Sequence, residues 1–141
     1  MARTIVVGYD GSAGADRALD ETVELAKLEG ARVVVVFAYE IPAAYGGETG
    51  DYRRAVRELA AQETAKAVPR LEQAGVDYDV ELVPERPAHG LIAVAENTGA
   101  SMIIVGTNGE HPIKGIVLGS VPLKLLHLSD VPVLVVPNAD N

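Results

Sequence analysis

Four stretches of this chain are apolar almost without a break: TIVVG at 4–8, RVVVVFAY at 32–39, SMIIVG at 101–106 and VPVLVVP at 131–137. A strand with one wet face alternates polar and apolar side chains, so an unbroken run signals burial on both faces. Parallel strands with helices above and below provide that cover. The segments between the runs have helical spacing. Ala15, Ala18, Leu19, Thr22 and Ala26 share one face, while Asp16, Arg17, Asp20, Glu24 and Lys27 fall largely on the other. Ser12 is placed to cap that helix and Gly30 to stop it. A long helix is expected over about 51–74, with Val56, Leu59, Ala60, Ala67 and Leu71 in phase and Pro69 kinking its last turns. Shorter helices are expected over 87–98, ending near Gly99, and over 120–127. DYDVELV at 77–83 alternates strictly, as an edge strand with a solvated face would. The order βαβαβαβαβ describes a single α/β domain spanning residues 1–141, an open parallel sheet with helices on both faces.

Charge and composition narrow the partners. The chain has 20 acidic against 12 Lys and Arg residues, a formal net charge of -8. That disfavours a nucleic-acid partner, and the bases form no concentrated patch. It does not disfavour a small phosphorylated ligand held by backbone amides. With no cysteine, disulfides and thiolate chemistry are excluded. No apolar run approaches the roughly 20 residues of a membrane-spanning helix. The apolar segment in MARTIVVGYDGS is too short for a secretory signal. The expectation is a cytoplasmic protein with no membrane partner.

The segment GTNGEHPIKGIVLGS, Gly106 to Ser120, follows an apolar strand and precedes a helix. Glycines there let something approach the backbone closely, and Ser120 suits a helix N-cap. A glycine loop feeding a helix start gathers free N–H groups at a partly positive end, which suits a phosphate. The alternative is a connecting loop with a capped helix and no ligand. In open parallel sheets ligands bind beyond the carboxyl ends of the strands, where strand order reverses. With the first strand central, the loops YDGSAG and GTNG meet at that crevice.

The spacing Gly106-x-x-Gly109, nine residues, then Gly119-Ser120 matches the G-2x-G-9x-G-S/T pattern of the nucleotide-binding branch of the universal stress protein family. GYDGS after the first strand, LGSVPLKLLH at the last helix and DVPVLVVP at the last strand are similar too, so the resemblance covers nearly the whole chain. It implies a five-stranded parallel sheet in the order 3-2-1-4-5 and an adenine nucleotide, ATP or AMP or ADP, with Mg2+ held through the phosphates. By position, it implies Asp10 at the nucleoside and the backbone of Ala38 at adenine. Gly106, Asn108, Gly109, Gly119 and Ser120 match the phosphate loop. In that order the last strand also raises the expectation of a homodimer, the alternative being that the C-terminal tail NADN or a helix covers it. A final strand from Val131 to Val136 would be an uncharged edge in that order, suited to pairing with its own copy through Val133 to Val136.

Departures from the family pattern are specific. Asn108 stands where many relatives have a basic residue. Pro122 replaces a frequent Ser or Thr and removes both a hydroxyl and an N–H. Glu85 and Ser101 replace a common Gly and a common acid. Asp10 has a second reading as a turn residue or helix cap, and Lys114 is as easily a solvated lysine as a phosphate contact. His89, His111 and His127 lack metal-ligand spacing, so no metal ligands are assigned. Arg53, Arg54 and Arg57 form one exposed helix face mixed with acids. Catalytic signatures are missing: DGSAG breaks the nucleophile elbow with Asp10, and no Walker A lysine occurs. Three readings follow: a nucleotide-binding stress regulator that is not a fast enzyme, a dimeric scaffold without nucleotide, and a slow ATPase.

Overall fold

The computed structural model describes residues 3–40, 50–107 and 120–137. The elements are β1 (Thr4–Gly8), α1 (Ala13–Glu29), β2 (Arg32–Ala38), α2 (Gly50–Ala65), α3 (Val68–Ala74), β3 (Tyr78–Val83), α4 (Pro87–Thr98), β4 (Met102–Gly106), α5 (Ser120–Leu128) and β5 (Val133–Val136). All strand pairs are parallel, in the order β3-β2-β1-β4-β5. This is the sheet the sequence led us to expect.

The unbroken apolar runs resolve into two faces with a period of two. Ile5, Val7, Val33, Val35 and Ile104 point to one side, where α1 and α3 cover them with Leu19, Val23 and Leu71. Val6, Val34, Val36, Ile103 and Val105 point to the other, under α4 and α5 with Leu91, Val94 and Leu125. Each face therefore buries half of every central strand, which is why the interiors of these runs are apolar at every position. β3 is different. As an edge strand it leaves Asp79, Val80 and Glu81 exposed.

One expectation changes in detail. The helix read as continuous over 51–74 is two helices, α2 and α3, separated at Lys66 and Ala67. Pro69 lies in the first turn of α3. A proline there has no intrahelical bond to lose, whereas in a helix interior it would. The proline starts a helix instead of bending one. The last strand is also shorter than read from the sequence, ending before Pro137.

Leu71 on α3 is fully buried, while Leu28 at the end of α1 is 81% exposed. Leu71→Ala should cost about 2–5 kcal/mol in urea unfolding, and Leu28→Ala should stay within about 0.5 kcal/mol.

Candidate functional site

The central strand β1 ends before both of its neighbours. Its last pairs are Gly8 with Val36 on β2 and Val7 with Ile104 on β4. Peptide groups alternate sides along a strand. In β2, Val36 accepts from the Tyr9 N–H at 2.9 Å, and Tyr39 donates to Val83 of β3 at 2.9 Å. Ala38, in phase with Val36, therefore turns its N–H and C=O towards β1, beyond the last pairing. In β4, Ile103 and Thr107 donate to Pro132 and Val136 on the β5 side. Gly106 is out of phase with both and turns its peptide groups towards β1, again beyond the last pairing. Two sets of strand-end amides thus face one gap, at the point where strand order reverses.

The gap is a crevice of about 280 Å³, near the lower end of ordinary small-molecule sites. Val36, Phe37, Pro87, Leu91, Val105 and Val121 form its walls; Asp10, Ser12, Ala38, Gly106 and Ser120 supply polar groups. Of the candidate residues, the fold brings Asp10, Ala38, Gly106 and Ser120 together. Asn108, Gly109 and Gly119 lie outside the described residues, as does Lys114.

The turn after β1 is built by its own side chains. The Asp10 carboxylate accepts the Ser12 N–H at 2.9 Å, and Ser12 Oγ accepts the Ala15 N–H at 3.2 Å as the N-cap of α1. Gly11 between them has φ +83°, a conformation that favours glycine. Asp10 therefore fills the turn role while lining the crevice. Tyr9 is buried, and its hydroxyl donates to Asp16 Oδ1 at 2.6 Å. Arg70 of α3 donates to the Asp16 carbonyl at 3.1 Å and pairs with Asp20 at 2.8 Å. The crevice floor is thereby tied to the first turns of α1.

Gly106 has a structural reason of its own. A Cβ there would lie 2.8 Å from the Gly14 carbonyl oxygen, so the first turn of α1 packs directly on the end of β4. Ser120 is the first residue of α5 and is exposed, rather than the cap preceding it. Pro122, in the first turn, is buried against the crevice. Sequence reasoning did not find Pro87 and Leu91. Leu91 is buried and Pro87 half-buried at the start of α4, and nothing local in the sequence says against what.

The family model described as the universal stress protein family matches residues 1–137. The chain belongs to this family. A universal stress protein of Thermus aquaticus, encoded in the QAH/OAS sulfhydrylase 3′ region, is 33% identical over 136 residues, covering 96% of this chain and 99% of that one. A solved universal stress protein in complex with cAMP is 28% identical, with a TM-score of 0.75 and coverage of 95% and 96%. The universal stress protein of Archaeoglobus fulgidus in complex with dAMP is 26% identical, with a TM-score of 0.71 and coverage of 94% and 96%. Some structures of the universal stress protein fold are thus adenine-nucleotide complexes. In this universal stress protein, no group of three His, Asp or Glu residues among those described could hold a metal ion. Nor is any described helix long and apolar enough to cross a membrane.

Burial first, and then the hydrogen bond to Asp16, raise the Tyr9 phenol above its ordinary value of about 10. Folding therefore favours the protonated phenol. That contribution is complete below about pH 10 and is lost as pH climbs from there towards the higher folded value. Tyr9→Phe should cost about 1 kcal/mol at pH 7, and its stability should fall less steeply than the parent's above pH 10 in urea melts.

Proposed function

We propose that this universal stress protein binds an adenine nucleotide in the crevice and acts as a stress-response regulator or sensor rather than a fast enzyme. The observation that carries this reading is the pair of unladdered strand ends. Ala38 presents a donor and an acceptor beside apolar walls, as the edge and faces of a purine require. Gly106 and the start of α5 offer N–H groups on the opposite side, which suits a phosphate. Asp10 uses one carboxylate oxygen in its turn, leaving the other for a ribose hydroxyl. Asn108, Gly109, Gly119 and Ser120 complete the proposed phosphate contacts. The cAMP and dAMP complexes of related proteins support the ligand class. ATP, ADP and AMP all share the recognised part. Any Mg2+ would be held through the phosphates, since the described protein groups offer it no cluster.

Thermal unfolding tests the reading. At about 100 times its dissociation constant a nucleotide stabilises the fold by about 2.7 kcal/mol, a rise in melting temperature of about 8 °C at this size. Gly109→Val and Gly119→Val should abolish the rise. They are better probes than Gly106, where any side chain would collide with the backbone of α1. No shift in the parent at millimolar AMP or ATP would favour the scaffold reading.

The second part of the proposal is a homodimer through the last strand, Val131 to Val136. Pro132 and Val136 accept from β4 through their carbonyls, so by alternation Val133 and Val135 turn theirs outward. On that side the Val131 N–H is held by Ser129 Oγ at 3.0 Å, and Pro137 has no N–H. The outward ladder is confined to Val133 and Val135. A two-fold antiparallel pairing satisfies it and closes. Val135→Pro removes an outward donor and leaves the bonds to β4 intact. It should turn a dimer into a monomer in light scattering at tens of micromolar, and a monomeric parent would refute the pairing.

A further inference from the structure

We infer that Gly90, in the first turn of α4, is a positioning residue for recognition of the base. Its missing side chain lets the helix bear directly on Ala38, and that contact fixes where the Ala38 peptide groups stand. The inference rests on the nucleotide-binding reading above and names what in the fold sets its preference for adenine.

Glycine is a poor choice inside a helix, which alanine forms more readily. The backbone does not call for it here. Gly90 is helical, and its N–H donates to the Arg86 carbonyl at 2.8 Å. Packing does call for it. A Cβ at 90 would lie 2.9 Å from the Ala38 Cβ, 3.4 Å from Val83 Cγ1 and 3.5 Å from the Glu85 Cβ. The first distance is well inside the roughly 3.5–4.0 Å at which carbon atoms rest against each other. Neither methyl group has a rotamer with which to step aside, so the main chain must move.

The end of β2 is the part that yields. α4 is fixed by Leu91, Val94 and Ala95, all buried against the sheet. Ala38 is laddered on one side alone: it pairs with Val83 of β3, whereas the β1 ladder stops at Val36. Its Cβ and its peptide groups are joined at one Cα, so a methyl group at 90 that pushes the Cβ carries the N–H and C=O with it. Restoring ordinary contact takes about half an ångström, which is the whole range a hydrogen bond tolerates. The other strand end is held in the same way from the opposite face, where a Cβ at 106 would lie 2.8 Å from the Gly14 carbonyl oxygen of α1. Each unladdered end thus has the first turn of a helix packed on it through a missing side chain.

Ala38 offers one donor and one acceptor, the complement of adenine N1 and the 6-amino group. Hypoxanthine has the reverse pattern at those two places, an N1–H and a 6-oxo group. AMP and IMP therefore differ only at the edge that Ala38 would read, and the ratio of their affinities reports where Ala38 stands.

Calorimetric titration of the purified chain with AMP and with IMP tests this. The parent should bind AMP about tenfold more tightly than IMP, the scale of the mismatched hydrogen bonds. Gly90→Ala, shown by circular dichroism to be folded, should bind AMP about tenfold more weakly and IMP nearly as before, so that the preference disappears. Adding Ala38→Gly removes the methyl group that the new side chain meets, and the double variant should regain the preference. The inference fails if the parent does not discriminate, or if folded Gly90→Ala keeps the parent's ratio. It fails equally if both nucleotides weaken together, as a purely structural role would require, or if the double variant does not regain the preference. Should Gly90→Ala not fold, the double variant decides. Folding with the preference for AMP supports the inference; failure to fold overturns it, because the collision with Ala38 would then not be what bars a side chain at 90. A parent that binds neither AMP nor IMP removes the nucleotide reading and this inference with it, a result distinct from binding without the preference.

Discussion

β1 is hydrogen-bonded on both sides, and its ladders end at Gly8 with Val36 and at Val7 with Ile104. β2 and β4 each continue two residues further, to Ala38 and Gly106. Everything that makes the crevice follows from that inequality. Backbone donors and acceptors that lose their ladder partner must find another, since an unpaired buried peptide group is costly. The chain cannot extend β1 to supply one, because Asp10, Gly11 and Ser12 turn it into α1. The strand ends are thus left facing a gap with hydrogen bonds to give and accept.

The shape of the gap is set by packing on the two faces. On one side the first turn of α1 presses on the end of β4, with glycine at both 14 and 106. Tyr9 and Asp16 hold that turn from beneath, and Arg70 anchors it to α3. On the other side α4 and α5 bring Pro87, Leu91, Val121 and Pro122 over the strand ends. The same helices bury Val36 and Val105. The cover that stabilises the sheet therefore also supplies the apolar walls of the site.

Much of this was legible in the residues. The unbroken valine and isoleucine runs required a sheet buried on both faces, and GYDGS and Gly106 lie at the end of it where the crevice opens. Ser12 as a cap and Gly30 as a stop are local signals with local causes, and both hold. Long-range packing was not legible. Gly106 read as room for a ligand, yet its nearest neighbour is the Gly14 carbonyl, far away in sequence. Pro69 read as a kink because nothing nearby shows that the chain breaks at Lys66. Leu91 has the helical phase of a buried residue, and only the folded sheet shows that it and Pro87 line one crevice with Ala38.

The two edges of the sheet show how differently one fold treats the same exposed ladder. β3 presents Asp79 and Glu81 to solvent, and Asp79 pairs with Arg32 at the start of β2. Charges on an edge strand discourage another strand from pairing with it. β5 has none: Val133, Leu134 and Val135 are partly exposed and wholly apolar. That edge is limited instead at its two ends, where the Val131 N–H is taken by Ser129 Oγ and Pro137 has no N–H. Charge discourages any strand, whereas blocked ends shorten the open ladder and leave the part between them free to pair. The self-pairing proposed for β5 would use the second device, while β3 uses the first.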